Sequence, residues 1–177
     1  MPGNCKGVIF DFNGTLFFDS DKHVKAWNKL SELLRGVGIS SQELQEHFYG
    51  VPNNRAIAYL LQTQSDEEEL SRYSELKEAY YRDFCKDHKE SFHLVEGAEA
   101  FFELLTANSI PFAIASASIK ANIDFFVRSF GLDRWFSPER IIYDDGSFAD
   151  KVSMFRSAAA VIGVPVEDCV IFEDSES

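Results

Sequence analysis

Gly7-Val8-Ile9-Phe10-Asp11-Phe12-Asn13-Gly14-Thr15-Leu16 decides the fold. A short apolar run ends in one carboxylate, Asp11, and is closed by Asn13-Gly14, a pair that turns the chain. The pattern predicts a buried strand over residues 7–12 with Asp11 near its carboxyl end. Asp11 could instead be a helix cap, but Gly14 and the segment behind it leave no helix directly there to cap.

Beyond Gly97 the chain alternates. A helix over about 98–107 precedes an apolar strand at 112–116. A helix over 120–130 precedes a strand at 140–143, and a helix over 151–162 precedes a strand at 169–173. Strands alternating with helices imply an α/β fold with a doubly wound parallel sheet. Between the first strand and Gly97, the stretch 17–92 reads as almost wholly helical. Val24, Trp27, Leu30, Leu33 and Leu34 recur at helical spacing. Ser40-Ser41-Gln42-Glu43 has the form of a capping box, with Ser40 as N-cap and Glu43 reaching back. Gly50-Val51-Pro52-Asn53-Asn54 breaks that helix, another runs over 55–61, and Ser65-Asp66-Glu67-Glu68 opens a long helix over 67–88. The acidic run 66–69 is read as a solvated helix start, where acids are favoured. Residues 17–92 are therefore expected as an inserted helical domain, with 1–16 and 93–177 forming the α/β core.

Composition narrows the function. Of 177 residues, 45% are apolar, including 17 Phe, which suffices for a packed core. A net charge of −12 argues against nucleic acid as a partner, because both surfaces would be negative. The same charge repels phosphorylated substrates at long range, so a phosphate site must be assembled from a few local cations and backbone N–H groups. Cys5, Cys85 and Cys169 are far apart and lack metal-ligand spacing, which fits a reducing compartment, the cytoplasm. No stretch near Met1 is long and apolar enough for a signal peptide or a membrane span.

In open α/β sheets, ligands meet the carboxyl ends of the strands. Here those ends carry Asp11, Ser116 and Glu173-Asp174, with Lys151 a short gap after the third strand. Each alone has a structural reading: Ser116 or Ser118 as a helix N-cap, Lys151 as a solvated helix-start lysine, Glu173-Asp174 as a loop start. Together they make a chemical set. Carboxylates converging from neighbouring strands repel each other, and Mg²⁺, a hard ion with oxygen ligands, relieves that repulsion. The ion also screens an attacking carboxylate from a phosphate. Ser116 and nearby backbone N–H groups can hold phosphate oxygens, and Lys151 adds positive charge where it develops in transfer.

Asp11-Phe12-Asn13-Gly14-Thr15-Leu16 resembles the first motif of the haloacid dehalogenase (HAD) superfamily, usually Asp-x-Asp-Gly-Thr. Ile114-Ala115-Ser116-Ala117-Ser118 resembles the second, Lys151 stands where the third-motif lysine would, and Phe172-Glu173-Asp174-Ser175 is similar to the fourth. The helical insertion, with His23-x-x-x-Trp27 and Gly50-Val51-Pro52-Asn53-Asn54-Arg55, is similar to the cap of the β-phosphoglucomutase-like phosphatases. The resemblance implies a Rossmann-like core with a helical cap over the strand ends, hinged near 16–19 and 93–97. It implies Asp11 as nucleophile and Mg²⁺ ligand, the Asn13 carbonyl and Asp174 as further ligands, and Glu173 supporting them. Thr15, Ser116 and Ala117 would bind phosphate, and Lys151 would neutralise charge. In the cap, Asn54, Arg55 and His23 are candidates for substrate contact, while Trp27 fits either the cleft or the cap core.

Two departures from the motif stand out. Position 13 is Asn where most relatives have a second Asp, the acid for the leaving group and the base for water; Asn has no titratable proton. The residue after Lys151 is Val152, where Pro is common. The sequence also stops before a further turn, helix and strand usual in relatives, so an exposed sheet edge and self-association through it are expected. The resulting expectation is a Mg²⁺-dependent phosphatase of a small phosphorylated metabolite, acting through an aspartyl-phosphate and slowed by Asn13. A sugar-phosphate mutase and a catalytically weak phosphate-metabolite binder are the alternatives.

Overall fold

The computed structural model describes residues 5–63 and 65–174. Four strands, β1 (Gly7–Phe10), β2 (Phe112–Ile119), β3 (Ile141–Asp144) and β4 (Cys169–Phe172), form a parallel sheet in the order β3-β2-β1-β4. The helices are α1 (Ser20–Arg35), α2 (Ser41–His47), α3 (Asn53–Leu61), α4 (Glu67–Asp87), α5 (Ala98–Ala107), α6 (Lys120–Phe130) and α7 (Lys151–Val161). Among the described residues, no helix is long and apolar enough to cross a membrane.

The centre of the sheet is buried on both faces: β1 is apolar and buried at every position, as is β2 over Phe112–Ala115, as parallel strands require. Successive residues of β1 point to opposite faces. Ile9 packs with Ala113 and Ala115 of β2 against Met154, Phe155, Ala158 and Ala159 of α7. Phe10 points the other way, where Phe102 of α5 lies 5.3 Å from it between ring centroids. Phe102 also meets Phe112, Trp135 and Phe136, at 5.9, 5.3 and 5.1 Å. Phe102 is fully buried among these rings. Phe102→Ala is expected to destabilise this unit by about 3–5 kcal/mol, since the rings around it relax only partly into the cavity. Denaturant unfolding should show a lower midpoint with an unchanged slope.

The chain divides into two compact units, Asp19–Glu90 and the remainder. In the helical unit, Trp27, Leu30, Leu44, Phe48, Ala56, Ile57 and Leu60 form one core. Trp27 belongs to that core, 5.1 Å from the Phe48 ring centroid. The capping box is present as read: Ser40 Oγ accepts from Glu43 N–H, and Glu43 Oε2 accepts from Ser40 N–H. The division lies two residues inside the expected 17–92 at each end. Phe17 and Phe92 are the reason: their rings lie 5.5 Å apart and pack on Phe126, Phe125 and Phe130, so they join the α/β unit.

Strand ends differ slightly from expectation. β1 stops at Phe10 because the Phe12 carbonyl already accepts from Leu16 N–H at 2.9 Å and Phe17 N–H at 3.0 Å, turning the chain. β2 runs on to Ile119, with a register shift between Ser116 and Ile119. Ile119 is then the N-cap of α6, without a side-chain cap, so neither Ser116 nor Ser118 serves as one. Among the described residues β4 borders the sheet, with Ile171 and Phe172 exposed.

Candidate active site

The site starts from the pairing of β1 with β4. Asp11 N–H donates to the Phe172 carbonyl at 2.9 Å, so the two strands end level and their next side chains are neighbours. Carboxylate oxygens of Asp11, Glu173 and Asp174 lie within 4.8 Å of one another. Asp174 leans over Gly14: a Cβ there would fall 2.2 Å from Asp174 Oδ2, and Gly14 has φ +79°, so only glycine serves this turn.

Lys151 is the first residue of α7. Asp150 caps that helix by accepting from Ser153 N–H at 2.7 Å, and Ser153 Oγ accepts in return from Asp150 N–H. With the cap role taken by Asp150, Lys151 is directed inward. Its ammonium lies 2.7 Å from Asp11 Oδ1 and 2.9 Å from Glu173 Oε2. Thr15 Oγ1 donates to the other Asp11 oxygen at 3.4 Å.

Burial sets the electrostatics. Asp11 is 2% exposed, and desolvation pushes its pKa up to about 6, against the pull of Lys151 and with the push of the Glu173 charge. Burial pulls Lys151 down, but Asp11 and Glu173 outweigh it and leave its pKa raised. The sign for stability follows. A carboxyl with folded pKa above its unfolded value binds more protons when folded, so stability falls as pH rises from about 4 to about 6. In metal-free buffer, Asp11→Asn is therefore expected to match the parent in stability below pH ~4 and exceed it by up to about 3 kcal/mol above pH ~6. Chemical denaturation at pH 4 and pH 7 measures this; a parent more stable than Asp11→Asn at pH 7 would contradict it.

Asn13 and β2 make a second group. Asn13 Oδ1 accepts from Ser116 Oγ at 3.2 Å and from Ser118 Oγ at 2.6 Å. Ser116 is fully buried, whereas the neighbouring Ala117 is exposed on the same strand. Ser118 was expected only as an alternative cap. The signal for it is the strand period: two residues beyond Ser116, it returns to the same side of an extended chain.

Asn54, Arg55 and His23 belong to the helical unit. Asn54 and Arg55 open α3 and are exposed, and Asn54 Oδ1 accepts from Arg55 N–H at 2.8 Å. His23 stacks on Tyr81 at 4.1 Å, with its ring nitrogens 2.9 Å from Lys77 Nζ and 3.3 Å from Asp19 Oδ2. Asp19, Lys77, Glu78 and Tyr81 are all buried in this network, and sequence reasoning did not single them out. Burial pushes Glu78 up, but Lys77, His23 and Asn53 hold it down at about 2.

The acidic cluster fits one hard divalent cation. Its donors are all oxygens, and ions with Mg–O bonds of about 2.0–2.1 Å hold their ligand oxygens roughly 3–4 Å apart. The Gly14 turn leaves room for the Asp174 carboxylate beside that position.

Comparison with known proteins places this arrangement. The chain is 26% identical over 172 residues to the chloroplastic 5-amino-6-(5-phospho-D-ribitylamino)uracil phosphatase of Arabidopsis thaliana, covering 96% of this chain and 44% of that protein. It thus spans less than half the length of that relative. A HAD hydrolase of family IA, variant 3, from Entamoeba histolytica superposes with a TM-score of 0.90 at 33% identity, over 97% of this chain and 77% of the other. A β-phosphoglucomutase from Clostridium difficile shares the fold, with a TM-score of 0.71 at 22% identity, over 96% and 76% of the two chains. The family model for haloacid dehalogenase-like hydrolases matches residues 5–177. With an acid at the end of β1, a lysine from α7 and an acid pair at the end of β4, the chain belongs to the haloacid dehalogenase-like hydrolase family.

Proposed function

We propose that this chain is a Mg²⁺-dependent phosphoric monoester hydrolase acting on a small phosphorylated metabolite through an aspartyl-phosphate on Asp11. One observation carries the reading: Lys151 bridges Asp11 and Glu173 while Asp174 completes a cluster of three carboxylates. A carboxylate beside a phosphate is an electrostatic problem, and this cluster is its local remedy.

Asp11, Glu173, Asp174 and the Asn13 carbonyl would hold Mg²⁺. When bound, the ion supplies charge that screens the carboxylate from the phosphate and stabilises phosphoryl oxygens. The chain's own residues do the rest. An Asp11 oxygen forms the bond to phosphorus as the ester P–O bond breaks, and the leaving group departs as an oxyanion carrying the ester oxygen, to be protonated by solvent water. Lys151 keeps Asp11 ionised near neutral pH and neutralises charge gathering on the equatorial oxygens. Ser116, Thr15 and the Ala117 N–H orient the phosphoryl group. Water then releases phosphate from Asp11. Asn13 offers hydrogen bonds but no proton, so both halves proceed without general acid–base help at that position.

We assign substrate selection to the helical unit as a cap, with Asn54, Arg55 and His23 as the contacting groups. The three free thiols suit a reducing compartment, for which we propose the cytoplasm.

The test is phosphate release from a panel of alkyl, acyl and aryl phosphates with Mg²⁺ or with EDTA. Release with Mg²⁺ and none with EDTA is expected. Mg²⁺ should also stabilise the fold, by about 2.7 kcal/mol at a hundred times its dissociation constant, and Asp174→Asn should remove most of that gain. Turnover unchanged in EDTA, or equal stabilisation of Asp174→Asn, would refute the metal assignment.

A further inference from the structure

Asn13 stands where a symmetric carboxylate is usual, and a carboxamide is not symmetric. Its Oδ1 accepts from Ser118 Oγ at 2.6 Å and from Ser116 Oγ at 3.2 Å. A carboxamide oxygen has two lone pairs, and both hydroxyls bond to it in this structure; when the Ser116 hydroxyl turns to a phosphoryl oxygen, Ser118, at the shorter distance, still holds Oδ1. Whatever else the side chain meets, it meets as an N–H donor. Ser116 Oγ also accepts from Ser118 N–H at 3.2 Å, which fixes the turn that presents both hydroxyls. The turn lies at the register shift of β2, where the strand departs from regular pairing.

We infer that Ser118 is a positioning residue for the reaction. By holding Oδ1 it turns the Asn13 NH₂ toward the bound phosphoryl group and its ester oxygen. Position 13 then acts as a fixed hydrogen-bond donor and moves no proton. The substrates best served are phosphates whose leaving oxygen departs without protonation: acyl phosphates and other esters of acidic hydroxyls. The inference rests on the hydrolase reading above.

A carboxylate has two equivalent oxygens, so Ser118 cannot choose which group an Asp at position 13 presents. That asymmetry gives the experiment. Ser118→Ala and Ser118→Thr are made in the parent and in Asn13→Asp, and hydrolysis of an aryl phosphate is followed with Mg²⁺. In the parent, Ser118→Ala should lower kcat about tenfold with KM nearly unchanged, and Ser118→Thr should restore it. In Asn13→Asp, Ser118→Ala should cost less than about threefold. An equal loss in both backgrounds, a loss carried by KM, or failure of Thr to restore kcat would make Ser118 a phosphate contact or a structural residue and overturn the inference.

A second readout is independent of turnover. The side-chain ¹⁵N–¹H signals of Asn13 are those lost in Asn13→Asp. They should shift on adding orthophosphate with Mg²⁺ in the parent and Ser118→Thr, and stay in place in Ser118→Ala. Signals that shift in a chain with no turnover would sink the hydrolase reading, and with it the catalytic role of Ser118, while leaving its orientation of Asn13 toward phosphate standing. Turnover with signals that ignore phosphate, or that respond alike in Ser118→Ala, would sink the role of Ser118 alone.

Discussion

Asp11→Asn is expected to abolish phosphate release, lowering kcat by at least about 10⁴-fold, because it removes the proposed nucleophile. The loss should not come from unfolding. Asp11 is 2% exposed, and burial holds its pKa near 6, so the ionised group costs the fold stability at neutral pH. The neutral isostere relieves that cost while keeping the volume. The variant should therefore be inactive and at least as stable as the parent in metal-free buffer. Single-turnover assays with an acyl phosphate, beside a denaturation curve, separate the two effects. A rate within tenfold of the parent would show that another nucleophile, or direct attack by water, carries the reaction.

Asn13→Asp should raise turnover of alkyl phosphates such as sugar phosphates by about 10²–10⁴-fold, the usual worth of general acid–base assistance. An alkoxide leaving group needs a proton, and water attacking the aspartyl-phosphate needs a base; an Asp at this position can serve both. Aryl and acyl phosphates need no proton on departure, so their first step should gain little. The gain should thus grow with the pKa of the leaving group. The site has room for the exchange, since Asp is isosteric with Asn and both serine hydroxyls now on Oδ1 can donate to a carboxylate. If every rate stays the same or falls, another group carries the proton and the account of position 13 is wrong.

Much of this protein was legible in its residue order. Helix positions followed from periodicity and caps, which are local: Ser40 with Glu43 makes its box within four residues. The strand ends beside Asp11 and Glu173-Asp174 could be placed because a parallel sheet demands short apolar runs with polar stops, whereas β2 runs three residues past the expected stop at Ser116. The motif residues then converge for one reason, the order β3-β2-β1-β4, which sets β1 between β2 and β4.

Distances across the chain belonged to the tertiary structure alone. Phe17 and Phe92 flank the helical insertion in sequence but lie 5.5 Å apart in space, and only their packing on Phe125, Phe126 and Phe130 assigns them to the α/β unit. The strand period puts Ser118 on the side of Ser116, but its partner, Asn13, lies 105 residues away and is met only in the folded chain. Lys77 and Glu78 are charged residues of the largely polar helix α4, yet both are buried, because His23, Asn53 and Trp27 surround them from other helices. The sequence by itself determined the elements, the family and the candidate chemistry, since those rest on local pattern and on motif. The tertiary structure decided the unit boundaries, the raised pKa of Asp11 and the orientation of Asn13, since burial and hydrogen-bond partners come from residues distant along the chain.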